Sequence, residues 1–202
     1  MIRENREYRN VPMPIIQKRE EGQEPSFFVE GYASTFEEYV LFEYEGIEYK
    51  ERIEPDAFKE CDMSDVVFVK NHEGTVFART RNNSLSVIVD EHGLYQRANL
   101  GLTSSARAMY EEIDAGLYDQ MSFSFIVSED EYDTKSHTRI IKKISKLFDV
   151  SAVNFPANDG TDISVVSARN RFNGFIELEQ AERLAEQREL ELAKAKFKFM
   201  EV

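Results

Sequence analysis

The chain has 202 residues, 42% of them hydrophobic, which suits one globular domain with appendages or at most two small domains. Its 38 acidic side chains exceed the 25 basic ones, and the net charge of −13 repels nucleic acids and anionic membranes. We therefore expect neither nucleic acid nor a membrane among its partners.

Cysteine and histidine are scarce, which limits redox and metal chemistry. The single Cys61 cannot form an internal disulfide, so a reducing compartment is the simplest setting, and its polar stretch FKECDMSD does not favour a nucleophile. Three isolated histidines and one cysteine supply no ligand pair at zinc-site spacing, so we expect no metal and no cofactor. Because no run has transmembrane length and the first ten residues lack a signal-peptide core, the chain is predicted to be cytosolic.

The N-terminal part is predicted to be an arm, after which strands begin. Residues 1–25 are charged and carry three prolines, with room for one edge strand through VPMPIIQKR. Residues 26–36 have the periodicity of a strand, and residues 38–53 are typical of a hairpin that turns near Glu45.

The middle of the chain alternates strands with short helices. The predicted elements are a short helix over 54–61, a buried strand over 65–73, two strands joined by a turn over 84–100, and a helix over 103–118. The last helix has Thr and Ser as cap candidates and Gly116 near its end. Its apolar positions are Ala106, Met109, Tyr110 and Ile113.

The C-terminal third supplies the remaining strands and a helical tail. A strand follows Gly116, one or two more lie within 137–159 before Pro156, and residues 175–200 alternate Glu and Arg as in a solvated helix. About seven short strands predict a mainly β (α+β) fold built on a closed or nearly closed antiparallel barrel with flanking helices. The predicted organisation is an arm (1–25), a barrel domain (26–168) and a helical tail (169–202).

The stretch GLYDQMSFSFIV, residues 116–127, carries a hydroxyl at every second position. In a strand, Ser122 and Ser124 share one face, while Met121, Phe123 and Phe125 share the other. Simple alternation on a half-buried strand explains the pattern; display of a nucleophile on a rigid strand is the second interpretation. These residues alone favour the first.

Nucleophilic hydrolysis also needs a base and a group that orients it. His72 is the best candidate base, because it ends the apolar strand DVVFV inside the turn KNHEG; a surface turn histidine is the alternative. His92 and His137 lie in polar turns and resemble solvated residues. Asp149 lies between apolar residues in KLFDVSAVNF, where a carboxylate is costly unless paired; the alternative is an edge acid that faces solvent.

Four collinear segments resemble those of the tailed-bacteriophage prohead proteases. They are VEGYASTF with ERIEPDAF, the turn NHEG, the stretch IDAGLYDQMSFSF, and LFDVSAVNFPAND. The resemblance covers roughly residues 26–167 and implies kinship with the barrel of the herpesvirus assemblins. It implies that His72 is the base, Ser122 the nucleophile and Asp149 the third member of a triad. The family usually has Gly in place of Ser124 and Glu in place of Asp149.

The resemblance implies a serine endopeptidase that cleaves scaffold, major capsid protein and itself inside the procapsid, in the cytoplasm of the host cell. The major capsid and scaffold proteins would be its partners, and it could also form a homo-oligomer. The turn PANDG, residues 156–160, is a candidate source of oxyanion donors. The competing hypothesis is a non-enzymatic assembly factor with the same fold.

Overall fold

A computed structural model describes residues 6–11, 26–154 and 163–200. The strands in these residues are β1 (Glu7–Val11), β2 (Phe28–Thr35), β3 (Tyr39–Tyr44), β4 (Ile47–Ile53), β5 (Val67–Lys70), β6 (Glu73–Arg79), β7 (Leu85–Val89), β8 (Gly93–Asn99), β9 (Gln120–Asp133) and β10 (Thr138–Val153). The α-helices there are α1 (Ser104–Asp114) and α2 (Ile163–Met200). Short 3-10 helices cover Pro55–Phe58 and Thr80–Asn82.

The strands form two sheets, and β10 organises the larger one. That sheet has the order β1-β9-β10-β4-β3, with β5 paired to the same β10 and β6 paired to β5. One edge of β10 pairs antiparallel with β9, while the other pairs in parallel with β4 at its beginning and with β5 at its end. The smaller sheet has the order β2-β8-β7.

The prediction of a mainly β fold with helices is confirmed, but the closed or nearly closed barrel is not. Neither sheet closes on itself within the described residues. The prediction assumed that successive strands pair in antiparallel fashion. The 16-residue β10 is instead long enough to pair with two separate strands in parallel, which a strand count cannot foresee.

Local signals in the sequence produce the expected elements in two places. The β3–β4 hairpin turns at Glu45 and Gly46, whose φ angles of 52° and 77° suit a two-residue hairpin loop. Helix α1 begins after Thr103, whose side chain accepts a hydrogen bond from the Ala106 amide at 3.1 Å. Its four predicted apolar residues are all buried.

Other elements differ from the prediction. Strand β6 was not expected, because its sequence EGTVFAR has little alternation. Within residues 1–25 the strand lies at Glu7–Val11, and the rest of VPMPIIQKR lies outside the described residues, as does Pro156. Of the one or two strands predicted within 137–159, the described residues contain one, β10.

One apolar core joins both sheets to α1, and a smaller one lies beneath α2. Phe172 is fully buried against Phe42 and Tyr49, and Ile176 completes this cluster. Leu192, farther along the same helix, is exposed. The division of the chain into arm, domain and tail stays a prediction. Among the described helices, none is both long and apolar enough to cross a bilayer.

Candidate active site

A tight hairpin places His72. Strands β5 and β6 pair at Lys70 and Glu73, which leaves Asn71 and His72 as a two-residue loop. Both loop residues have positive φ, 49° and 60°, as the turns of such hairpins require, at a cost of about 1 kcal/mol or more each. The Asn71 amide donates to the Ala152 carbonyl at 3.1 Å, so the loop is fastened to β10.

The register of β9 and β10 brings the hydroxyls and the carboxylate together. Ser122 pairs with Ser151, and Ser124 pairs with Asp149. Because side chains two positions apart share a face, all four lie on one side of the strand pair. His72 reaches this side from the β5–β6 loop, and its amide donates to Ser151 Oγ at 3.2 Å.

The three residues singled out in the sequence form one hydrogen-bonded chain. Ser122 Oγ lies 2.7 Å from His72 Nε2, and His72 Nδ1 lies 2.7 Å from Asp149 Oδ1. A neutral His72 that donates its Nδ1 proton to Asp149 presents a lone pair on Nε2 to the Ser122 hydroxyl. This arrangement can move the hydroxyl proton onto the ring while the carboxylate holds the ring in place.

Asp149 is buried but well supplied with hydrogen-bond donors. It is 3% exposed and accepts hydrogen bonds from His72, from Ser124 and, at 2.9 Å, from Ser151. Burial acts to raise the pKa of this carboxyl, but these donors, His72 first, outweigh burial and lower its pKa below the ordinary value. Asp149 therefore stays ionised at neutral pH.

Two of the groups around Asp149 were not found from the sequence. Ser151 stands two residues after Asp149, and this spacing on a strand was the signal that could have revealed it. Arg6 lies 3.8 Å from Asp149 through its Nη1, and its guanidinium covers the Phe148 ring. No local pattern links Arg6 to a residue so far along the chain.

Strand β1 covers the nucleophile candidate. It pairs antiparallel with β9, and Asn10 is opposite Ser122. Ser122 is fully buried, and its Oγ also lies 2.8 Å from the carbonyl oxygen of Arg9. The Tyr8 ring packs edge-on against His72, with centroids 4.7 Å apart. No local pattern predicted that the arm would reach this site.

The other candidate residues lie apart from this cluster. His92 is largely exposed in the β7–β8 turn, and His137 contacts Glu179 of α2 through its Nδ1 at 2.9 Å. Burial, followed by the nearby Asp62 carboxylate, raises the pKa of the Cys61 thiol to about 12, which leaves it unsuited to nucleophilic attack. The candidate oxyanion turn, residues 156–160, lies outside the described residues.

Comparisons with known proteins agree on one family. The family described as caudovirus prohead serine protease matches residues 14–173. The prohead protease of Enterobacteria phage HK97 is 31% identical over 143 residues, which cover 69% of this chain and 60% of the relative. The chain thus spans less than two thirds of the length of that relative. No solved structure matches significantly. Since the family match extends over most of the chain and includes the Ser122, His72 and Asp149 cluster, this chain belongs to the caudovirus prohead serine protease family.

Proposed function

We propose that the chain is a serine endopeptidase of procapsid maturation, in which Ser122 is the nucleophile, His72 the base and Asp149 the orienting carboxylate. The observation that supports this best is the continuous chain from Ser122 Oγ through the two ring nitrogens of His72 to Asp149, with both contacts at 2.7 Å. The family membership supports the same conclusion independently.

The proposed reaction follows from these positions. As Ser122 Oγ bonds to the carbonyl carbon of a peptide, its proton passes to His72 Nε2, and Asp149 stabilises the resulting imidazolium. His72 then gives that proton to the departing amine nitrogen when the carbon–nitrogen bond breaks. A water molecule, deprotonated by His72 in the same way, hydrolyses the acyl-enzyme and restores Ser122.

We further propose that the substrates are the scaffold protein, the major capsid protein and the chain itself, inside procapsids assembling in the host. The HK97 relative carries the name prohead protease, and a protease of a prohead meets these proteins there. The net charge of −13 supports partners that are proteins rather than nucleic acid.

The test is co-expression with the major capsid and scaffold proteins of the same phage, followed by intact-mass measurement of every chain. Ser122→Ala should abolish all cleavage. Ser128→Ala, on the exposed part of the same strand, is the matched control and should cleave normally. Cleavage that persists in Ser122→Ala would overturn the assignment. Absence of cleavage in the unaltered chain, together with normal shell assembly, would favour the non-enzymatic assembly factor.

A further inference from the structure

We infer that β1 is a displaceable occupant of the site where a substrate peptide binds, and that cleavage requires β1 to leave β9. The inference rests on the proposed function, since it concerns access to Ser122. It assigns the edge of β9 beside Ser122 as the binding site for an extended peptide segment.

The first support is the burial of the reacting groups. Ser122 is 0% exposed, and the side chain of His72 is 13% exposed. A peptide carbonyl cannot reach a fully buried hydroxyl. Strand β1 causes this burial, because Asn10 lies opposite Ser122 and Tyr8 lies opposite Ser124 while packing on the His72 ring.

The second support is the backbone of β9. The edge of β9 that faces away from β10 pairs with β1 over five consecutive residue pairs. An extended peptide placed beside Ser122 would need those same amide and carbonyl groups, because strand addition uses the backbone of a sheet edge. Strand β1 and a substrate therefore compete for one set of hydrogen bonds.

The third support is the proton of Ser122. A hydroxyl has one proton, and two acceptors lie within reach: His72 Nε2 at 2.7 Å and the Arg9 carbonyl oxygen at 2.8 Å. Whenever the proton points to Arg9, it is not available to the base. The docked strand thus opposes activation of the nucleophile in addition to blocking access.

The contact between Ser122 and Arg9 does not have the geometry of a substrate about to be cleaved. Its carbonyl oxygen accepts the Ser122 hydroxyl, whereas a bond about to be cleaved presents its carbon to the hydroxyl and its oxygen to amide donors. Strand β1 is accordingly held in an unproductive position, in which the Arg9 carbonyl is not placed for cleavage.

The charges on the inner side of β1 hold it in the sheet, but they stay balanced when it leaves. We call the buried residues Glu7, Arg9, Glu51 and Arg139 the ionic cluster. Glu7 and Arg9, both on β1, pair with each other at 2.7 Å, and Glu51 and Arg139, on β4 and β10, pair at 3.1 Å. The contacts between the two halves, Arg9 with Glu51 and Arg139 with Glu7, are 2.6 Å each and break when β1 leaves. Each half is electrically neutral, so separation of β1 leaves no unbalanced charge behind in the sheet.

A reversible crosslink tests the inference in the full chain. Val11 pairs with Met121, and paired positions on antiparallel strands are close enough for a disulfide. In the Val11→Cys/Met121→Cys variant, oxidation by oxidised glutathione should lower peptide hydrolysis and Ser122 labelling by a small fluorophosphonate. The decrease should be about tenfold or more, because the lock reduces the fraction of open molecules. Dithiothreitol should restore both activities.

Two further variants complete the test. Ser86→Cys/Arg97→Cys forms a matched crosslink between exposed, paired positions of β7 and β8, and its oxidation should change neither activity. Tyr8→Ala removes the ring that packs on His72 and should speed the labelling of Ser122 in the unlocked chain.

The outcomes separate the two proposals. Equal activity of the oxidised and reduced β1–β9 variants would overturn the inference and leave the proposed function intact. If the double-cysteine variant does not fold, an unchanged labelling rate in Tyr8→Ala would overturn the inference instead. If neither the unaltered chain nor Tyr8→Ala hydrolyses peptides or reacts with the fluorophosphonate, the proposed function is overturned and this inference with it.

Discussion

Strand β1 separates two buried polar clusters that differ in kind. On its inner side, the ionic cluster contains four charges that neutralise one another. On its outer side, the triad candidates contain one carboxylate, one imidazole and one hydroxyl, linked by hydrogen bonds. In the ionic cluster each charge stays on its own residue. In the second cluster a proton can move from the Ser122 hydroxyl to His72.

The pKa values express this difference. Burial acts to raise the pKa of Glu7, but Arg139 and Arg9 outweigh it and lower the value to about 2. Burial acts to lower the pKa of Arg9, but Glu51 raises it well above the usual range. Glu7 and Arg9 therefore keep one protonation state at every ordinary pH, which suits a structural role. The proposed catalysis requires the opposite property, a proton that moves between Ser122 and His72 on the outer side of β1.

The largest expected effect is the loss of the proton relay. His72→Ala should lower turnover on a peptide substrate on the order of 10⁶-fold, about as much as Ser122→Ala, because members of a triad act as a unit. The double variant should be no worse than either single one. Turnover measured for the three proteins, with circular dichroism as the control for folding, checks this. Additive losses would contradict a shared relay.

The next largest effect is expected from neutralising the carboxylate. Asp149→Asn keeps the shape of the side chain but removes the charge that fixes the ring tautomer and stabilises the imidazolium. Turnover should fall roughly 10⁴-fold. Asp133→Asn, at the exposed end of β9, serves as the control. Turnover near that of the unaltered chain would remove Asp149 from the triad and leave a dyad or another acid.

Breaking the ionic cluster should affect stability instead of chemistry. Glu51 is fully buried and accepts hydrogen bonds from Arg9 and Arg139, so Glu51→Gln leaves positive charge uncompensated. The free energy of unfolding should fall by about 3–5 kcal/mol. Glu48→Gln, exposed on the same strand, should change it little. Denaturant titration measures the difference; a loss confined to turnover would contradict the comparison.

Each member of the outer cluster has a local signal, but only the resemblance to the prohead proteases selected the three together. Ser122 is part of an alternating strand, His72 follows an apolar strand in a turn, and Asp149 interrupts an apolar run. Alternation also predicts that Ser122 and Ser124 share a face, as the structure has them. The distances between these residues could not be predicted from the sequence. They depend on the pairing of β10 with β9 and with β5, which the whole chain determines.

The ionic cluster could not be predicted from the sequence, and the reason is physical. Charged residues are almost always exposed, so Glu7, Arg9, Glu51 and Arg139 each look like surface residues when read locally. Their partners are distant in sequence, and the ion pairs that offset the cost of their burial form when β1 pairs with β9. The same charged composition predicted an arm over residues 1–25, and that division of the chain stays a prediction.

A smaller effect should appear in acid. Because the pKa of Glu7 falls from 4.5 to about 2 on folding, its contribution to stability is complete above pH 4.5 and is lost as the pH falls toward 2. Glu7→Gln should therefore destabilise the chain at pH 6, and the difference from the unaltered chain should shrink by pH 3. Unfolding titrations at both pH values check this. Glu91→Gln, largely exposed, should show no such trend.

The smallest expected effect concerns the second serine of the strand. Ser124 is fully buried and donates a hydrogen bond to Asp149, at a position where the resemblance implies Gly opposite a longer Glu. We interpret the hydroxyl as support for the shorter acid. Ser124→Gly should raise the pKa of Asp149 toward its ordinary value and lower turnover roughly tenfold, since hydrogen bonds to charged groups contribute about 1.5–3 kcal/mol.

The double variant Ser124→Gly/Asp149→Glu makes this interpretation testable. Asp149→Glu alone should also lose turnover, because the extra methylene meets the Ser124 side chain across the paired strands. With Gly at position 124 that space is free, so the double variant should be more active than either single one. A double-mutant cycle on one peptide substrate measures the coupling. Additive losses would mean that Ser124 only fills the strand's polar face, and that the short acid orients His72 without its help.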